Sequence, residues 1–325
     1  MKRRTKWLIA LFLFGLLIVS IPAAAIGVLA FRYTHPPKMA LHTTPGSFGL
    51  SYQDVSFPSV EDDHVTLRGW LIQAKNQQRR IAIFAHGYSE NRESADVALY
   101  MAKSLRERGI ASLMFDFRAS GESDGAETSL GYHEKKDLLG AIQYAKRLGY
   151  QQIGLVGFSM GASTALDLAP EVPEVQAVVA DSAFSNLDKY LEKKLEHNQL
   201  TDVVPFLPKL VLWEMQMLTG IKPDQVQPIA AMPELKGKGV FLIHAGGDSV
   251  IPAAESRRLS EACPSLNAML WVSNTDGHVG TFYVAREEYL KRTSAFLTYY
   301  LSKELPVEQL DQDAAVAFNE RRSKL

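Results

Sequence analysis

From about residue 52 onward, short apolar runs alternate with helix-length amphipathic stretches, and few architectures satisfy that pattern. The runs at 81–85, 111–115, 152–156, 175–180, 240–243 and 268–272 are short and largely apolar, as strands buried on both faces are. Between them lie crossover-length segments: 95–108 sets Val97, Ala98, Met101 and Leu105 on one helical face, and 131–148 and 280–301 are also read as helices. Residues 65–72 are expected to form an antiparallel strand at the start of the sheet. The expected class is α/β: a mostly parallel central sheet flanked by helices, spanning about 52–302.

One interval breaks the rhythm. Residues 183–236 run without a strand and carry Leu207, Leu210, Val211, Leu212, Trp213, Met215, Met217 and Leu218, which suggests an inserted, mainly helical cap. Its apolar, Met-rich face is suited to packing on the main domain and to lining part of a pocket for an apolar group. The charged stretch 303–325 is read as a peripheral tail.

The first 31 residues obey a different solvent. Lys2, Arg3, Arg4 and Lys6 precede an almost unbroken apolar run over 7–31, which as a helix would be about 37 Å long against a hydrocarbon core of about 30 Å. Only Arg32 and Lys38 follow closely, so the charge bias leaves residues 1–6 in the cytoplasm and the folded part outside it, with 32–51 as a linker. The competing expectation is a secretory signal cleaved near Ala25, after Pro22-Ala23-Ala24-Ala25.

Composition narrows function by exclusion. A net charge of −1 with scattered Lys and Arg offers no footprint for nucleic acid. A single cysteine, Cys263, rules out an internal disulfide or a Cys-rich metal site, and neither a zinc-protease helix motif nor a phosphate-cradling loop is present. No cofactor is expected, and oligomeric state is not legible.

Gly157-Phe158-Ser159-Met160-Gly161 gains meaning from its position. A buried strand gives way there to a helix starting near Met160, the turn that lifts a serine hydroxyl out of a sheet and sets it at a helix N-terminus. A serine is a poor nucleophile at neutral pH and needs a base, here expected later in the chain and oriented by an acid at the end of a late strand. Asp248 follows the strand Phe241-Leu242-Ile243-His244, and His278 is the one histidine beyond it, in Asn274-Thr275-Asp276-Gly277-His278. Asp181, ending the preceding strand, is the alternative acid. Oxyanion donors are expected from the backbone N–H groups of Met160 and Tyr88, the latter in the loop His86-Gly87-Tyr88, where His86 is read as structural.

Together these stretches resemble the α/β-hydrolase superfamily, in particular membrane-anchored bacterial serine hydrolases of the cell-surface esterase and lysophospholipase-like kind. The resemblance covers about 56–300 and includes Asp116-Phe117-Arg118-Ala119-Ser120-Gly121 and Asp181-Ser182-Ala183-Phe184. It implies the α/β-hydrolase fold, a Ser-Asp-His triad without metal or cofactor, and hydrolysis of an ester, thioester or sometimes an amide of a small or lipid-like acyl substrate. Relatives usually carry Gly-His where this chain has Ala119-Ser120, so a different local backbone is expected there, above a structural ion-pair network of Asp116 and Arg118. A peptidase using the same residues, or a silent membrane-tethered binding protein, are the rival expectations.

Overall fold

The structure is a computed structural model; it describes residues 30–60, 64–76, 79–196, 206–263 and 268–302, with isolated positions 7, 11, 13, 20, 24, 27 and 28 before them. Eight strands form one sheet: β1 (Gln53–Pro58), β2 (Thr66–Ile72), β3 (Arg80–Ala85), β4 (Ala111–Phe115), β5 (Gln152–Phe158), β6 (Val175–Asp181), β7 (Gly239–Gly247) and β8 (Ala268–Asp276). Their spatial order is β1-β2-β4-β3-β5-β6-β7-β8. Both pairings of β2 are antiparallel and every later pairing is parallel, as the apolar runs demand.

Helices cover both faces: α1 (Val97–Glu107), α2 (Glu134–Arg147), α3 (Met160–Leu168), α4 (Leu187–Glu196), α5 (Leu207–Thr219), α6 (Pro228–Ala231), α7 (Ala254–Ala262), α8 (Thr281–Val284) and α9 (Arg286–Leu301). One core layer gathers Leu138, Ile142, Ala165 and Leu259 under α2, α3 and α7 against Ile83, Leu113 and Leu155. The other packs Leu99, Met101, Leu105 and Leu297 of α1 and α9 on Phe84, Val156 and Phe241. Successive strand residues feed opposite layers, the period-two alternation of a sheet covered twice. The helix expected over 280–301 is two helices, because Ala285 breaks the α region at φ −125°, ψ 43°.

Between β6 and β7, α4, α5 and α6 form the cap, with no strand among its described residues. The cap's apolar residues divide between two faces on α5. Pro208, Val211 and Met215 are buried toward the domain, while Phe206, Leu210, Trp213 and Met217 point away from it into the open. A third core cluster lies under the cap and joins Phe184, Leu187, Leu191, Met215 and Val226 to Leu130 and Ile251.

Most of the apolar run 7–31 lies outside the described residues, as do 1–6 and 303–325, and among the described residues no helix is long and apolar enough to cross a membrane. The end of that run is a structural part of the domain. Ala30 and Thr34 are buried, Ala30 within the cluster under the cap. The linker is laid along the domain too: Thr128 N–H donates to Thr34 O (2.8 Å), and one Glu93 carboxylate oxygen accepts from His42 N–H and Thr43 N–H at 2.6 and 2.7 Å.

Candidate active site

Six parallel strands end on one edge, and the segments after β3, β5, β6, β7 and β8 carry the residues that the sequence nominates. Ser159 stands between β5 and α3 with φ 54° and ψ −118°, a conformation closed to most L-residues and tolerated only where the surroundings over-determine it. What enforces it is contact: a Cβ on Gly161 would lie 2.1 Å from Ala85 O, and one on Gly157 would lie 2.5 Å from Ala162 Cα. The chain therefore turns into α3 pressed against the β3 loop. The half-buried Ser159 hydroxyl makes no hydrogen bond among the described residues, and the N–H groups of Met160 and Tyr88 are likewise unpaired there.

Lateral hydrogen bonds tie the strand ends together. Ser159 N–H donates to Asp181 O (2.8 Å), and Ser182 N–H to Ile243 O (2.9 Å). Val279 N–H donates to Ser182 Oγ (3.3 Å), which brings the residue after His278 beside the loop of β6. Ser182 and Val279 both take positive φ, 58° and 55°, and for a β-branched valine that is a clear outlier. Strain thus gathers at Ser159, Ser182 and Val279.

His278 Nδ1 is hydrogen-bonded to Asp248 Oδ2 at 2.7 Å. Asp248 Oδ1 accepts from Val250 N–H (2.8 Å) and Ile251 N–H (3.0 Å), so the carboxylate is held at both oxygens. Burial works against its charge, but hydrogen bonds from His244 and His278 outweigh that and hold the carboxyl well below the usual carboxylate range. His244 was not singled out in the sequence, although a histidine in an otherwise apolar strand is the available signal. Its Nε2–H donates to Ile251 O (2.8 Å) and lies 3.4 Å from Asp248 Oδ2, while its Nδ1 accepts from Ser256 Oγ (2.7 Å).

Asp181 faces different partners. Tyr289 Oη donates to its Oδ2 (2.9 Å) and Ser182 Oγ to its Oδ1 (3.0 Å), and complete burial pushes its carboxyl up to about 6. The two acids are thus driven in opposite directions. Tyr289 is unreadable from sequence as a site residue, since it enters from α9 across 108 positions.

The neighbouring loops are braced. His86 donates Nδ1–H to Gly87 O (2.7 Å) and accepts Phe117 N–H at Nε2 (2.9 Å), so both ring nitrogens are used in holding loops. Among the described residues, Asp116 and Arg118 take different partners rather than one shared network. Asp116 accepts Arg92 N–H (2.7 Å) and Glu122 N–H (2.9 Å), whereas Arg118 forms a two-pronged pair with buried Asp137. Ala119 adopts φ 54° in this loop, so the left-handed turn is made with a residue other than glycine. Two open hollows of about 350 and 1050 Å³ lie elsewhere, around Trp70 and around Tyr144, and neither includes Ser159, Asp248 or His278.

A mostly parallel sheet whose polar side chains collect at the carboxyl ends of its strands, beyond two antiparallel pairings, defines a class: the chain belongs to the α/β-hydrolase superfamily. Its residues 83–220 match the family described as alpha/beta hydrolase fold. The Pyrococcus furiosus esterase Pf2001 is similar in structure, at 30% identity with a TM-score of 0.66 over 82% of this chain and 99% of that one. Uncharacterized protein YqkD of Bacillus subtilis is 29% identical over 219 residues, 66% of this chain and 70% of that protein. An uncharacterized membrane protein of Saccharomyces cerevisiae is 21% identical over 245 residues, 73% of this chain and 77% of that protein.

Proposed function

We propose that the protein is a serine hydrolase that cleaves a carboxylic ester or thioester of an apolar acyl group through an acyl-enzyme. The observation that carries this reading is the Asp248–His278 hydrogen bond on loops laterally tied to a strained Ser159. In the proposed reaction, Ser159 Oγ attacks the carbonyl carbon while its proton passes to His278 Nε2, and the carbonyl electron pair moves to oxygen. Met160 and Tyr88 N–H groups meet that oxyanion, each donor worth about 3 kcal/mol. Collapse breaks the bond to the leaving group, which takes the proton from His278. Water then repeats the sequence, releasing the acid and restoring the serine. Asp248 holds the imidazole in the tautomer with Nδ1 protonated and balances the cation that forms.

Support for the class of substrate comes from the side chains near the proposed site. The apolar cluster under the cap brings Tyr88 and Ile251, on opposite flanks of Ser159, together with Phe184 and Leu130, and so favours an acyl chain over a charged peptide terminus. Esterase Pf2001, similar over most of both chains, agrees with that choice. For location, the reading is a single-pass anchor over 7–31 with the catalytic domain outside the cytoplasm; the apolar run and its basic N-terminal flank support it. The yeast protein similar to this chain bears the name of a membrane protein.

The full chain in detergent should hydrolyse an activated acyl ester and be labelled by a fluorophosphonate. Ser159→Ala should lose labelling and at least about 10⁴-fold in kcat with an unchanged circular dichroism spectrum. Equal labelling of wild type and variant would remove Ser159 from the mechanism.

A further inference from the structure

The outer stripe of α5 has no use in the reaction, yet it is the most apolar exposed surface of the cap. Phe206, Leu210, Trp213 and Met217 follow at spacings of four, three and four residues, so they form one face, and they are 65, 37, 58 and 67% exposed. Leu218, 60% exposed, widens it at one end. Such a contiguous patch is uncommon on a protein surrounded by water and calls for an occupant.

The N-terminal run identifies that occupant. A Cβ placed on Gly27 would lie 3.5 Å from Leu218 Cδ1 and 3.7 Å from Glu214 Oε1, so the end of the run touches α5 directly. Val28 and Phe31, at the end of the run, are themselves each 60% exposed. Residue 27 lies four positions inside the end of the run, about 6 Å of helix. Ala30 and Thr34 are locked into the domain within the next two turns, which leaves no slack to lift the cap away. If the run is in a bilayer, α5 lies at the depth where the run leaves it. Trp213 and Phe206 are side chains suited to that boundary, where an apolar helix face settles among the upper acyl chains.

We propose that this face of α5 rests in the surface of the lipid bilayer that anchors the chain, and that the protein takes its acyl substrate from that bilayer. The proposal rests on the anchored-hydrolase reading above. It places the partner as the acyl-chain region of a lipid surface and gives the two faces of α5 separate duties: Val211 and Met215 toward the domain, Trp213 and Met217 toward lipid.

The test uses the full chain reconstituted in phosphatidylcholine vesicles. The emission of Trp213, obtained as wild type minus Trp213→Phe, should fall about twofold or more when the vesicles carry bromine on the upper acyl chain. Undiminished emission would overturn the proposal, as would failure of the chain to float with the vesicles. Trp213→Glu combined with Met217→Glu should hydrolyse a water-soluble short-chain ester within twofold of wild type, while hydrolysis of a long-chain acyl ester embedded in the vesicle falls at least tenfold. Loss of both activities in proportion, or of neither, would overturn it. So would conversion of a detergent-solubilised dimer to monomer by the same double substitution with embedded-ester hydrolysis intact, since the stripe would then serve a second copy. Quenching of Trp213 in a wild type that hydrolyses no ester would uphold the surface and sink the hydrolase reading instead.

Discussion

At the scale of single residues, Asp181 is where the fold gives up stability. Its carboxyl is pushed up to about 6 by burial, from about 3.9 in an unfolded chain. A folded-state pKa above the unfolded one means that the folded protein binds the proton more tightly. The associated stability is therefore fully present below about pH 4 and is lost as pH rises through about 6, by roughly 3 kcal/mol at most. Asp181→Asn removes that titration while leaving Ser182 Oγ an oxygen to donate to. Its stability relative to wild type should therefore climb by about 2–3 kcal/mol between pH 4 and 7, read as the difference in urea midpoints at each pH. A difference that stays flat would show that Asp181 is ionised throughout. Asp248 is opposite in sign: its depressed carboxyl contributes stability above the unfolded value that is lost as pH falls. Two carboxylates on neighbouring strands thus answer acid in opposite ways because one faces two histidines and two N–H groups while the other faces a tyrosine and a serine.

At the scale of elements, the turn from β5 into α3 has no room for a single added methyl. A methyl on Gly161 would meet backbone oxygens of Ala85 and His86 at 2.1 and 2.5 Å, and neither can swing aside as a side chain can. Gly161→Ala should cost about 3 kcal/mol or more and lower the urea midpoint accordingly; a cost under about 1 kcal/mol would mean that the β3 loop yields. This turn was legible in the sequence because its strand, glycines and helix are contiguous. So were the inner strands, whose apolar runs at 81–85 and 111–115 need no partner to be recognised. Strand β1 was not legible, since as an edge strand it buries only Phe57 and half-buries Val55, an alternation too short to mark a strand. The partners of Asp116 and Arg118 were not legible either. Arg92 and Asp137 reach them from other elements, 24 and 19 positions away, and local spacing carries no trace of such pairs. Asp248 and His278 could be nominated by chain order, whereas the bond between them had to be read from coordinates.

At the scale of the whole molecule, the segment leading into the domain is packed into it. Tyr88 Oη donates to Tyr33 O (2.8 Å), so the loop that carries one proposed oxyanion donor is fastened to the linker just past the N-terminal run. A chain beginning at residue 36 would lose that bond and uncover the cluster around Leu191 and Met215. It should melt several degrees below the full chain and turn over a soluble ester more slowly, which thermal scans and initial rates in the same detergent would register. Equal melting and rates would make the segment a passive strap.

The strand order also says something about synthesis. From β5 to β8 each new strand is laid outside the last in chain order, while the side chains proposed for catalysis arrive at Ser159, Asp248 and finally His278. A nascent chain still missing its last strand can complete most of its sheet and yet lacks His278, the base proposed for the serine. On the proposed mechanism, a nascent chain would become competent as an acyl hydrolase only once β8 and His278 have emerged to close the far edge.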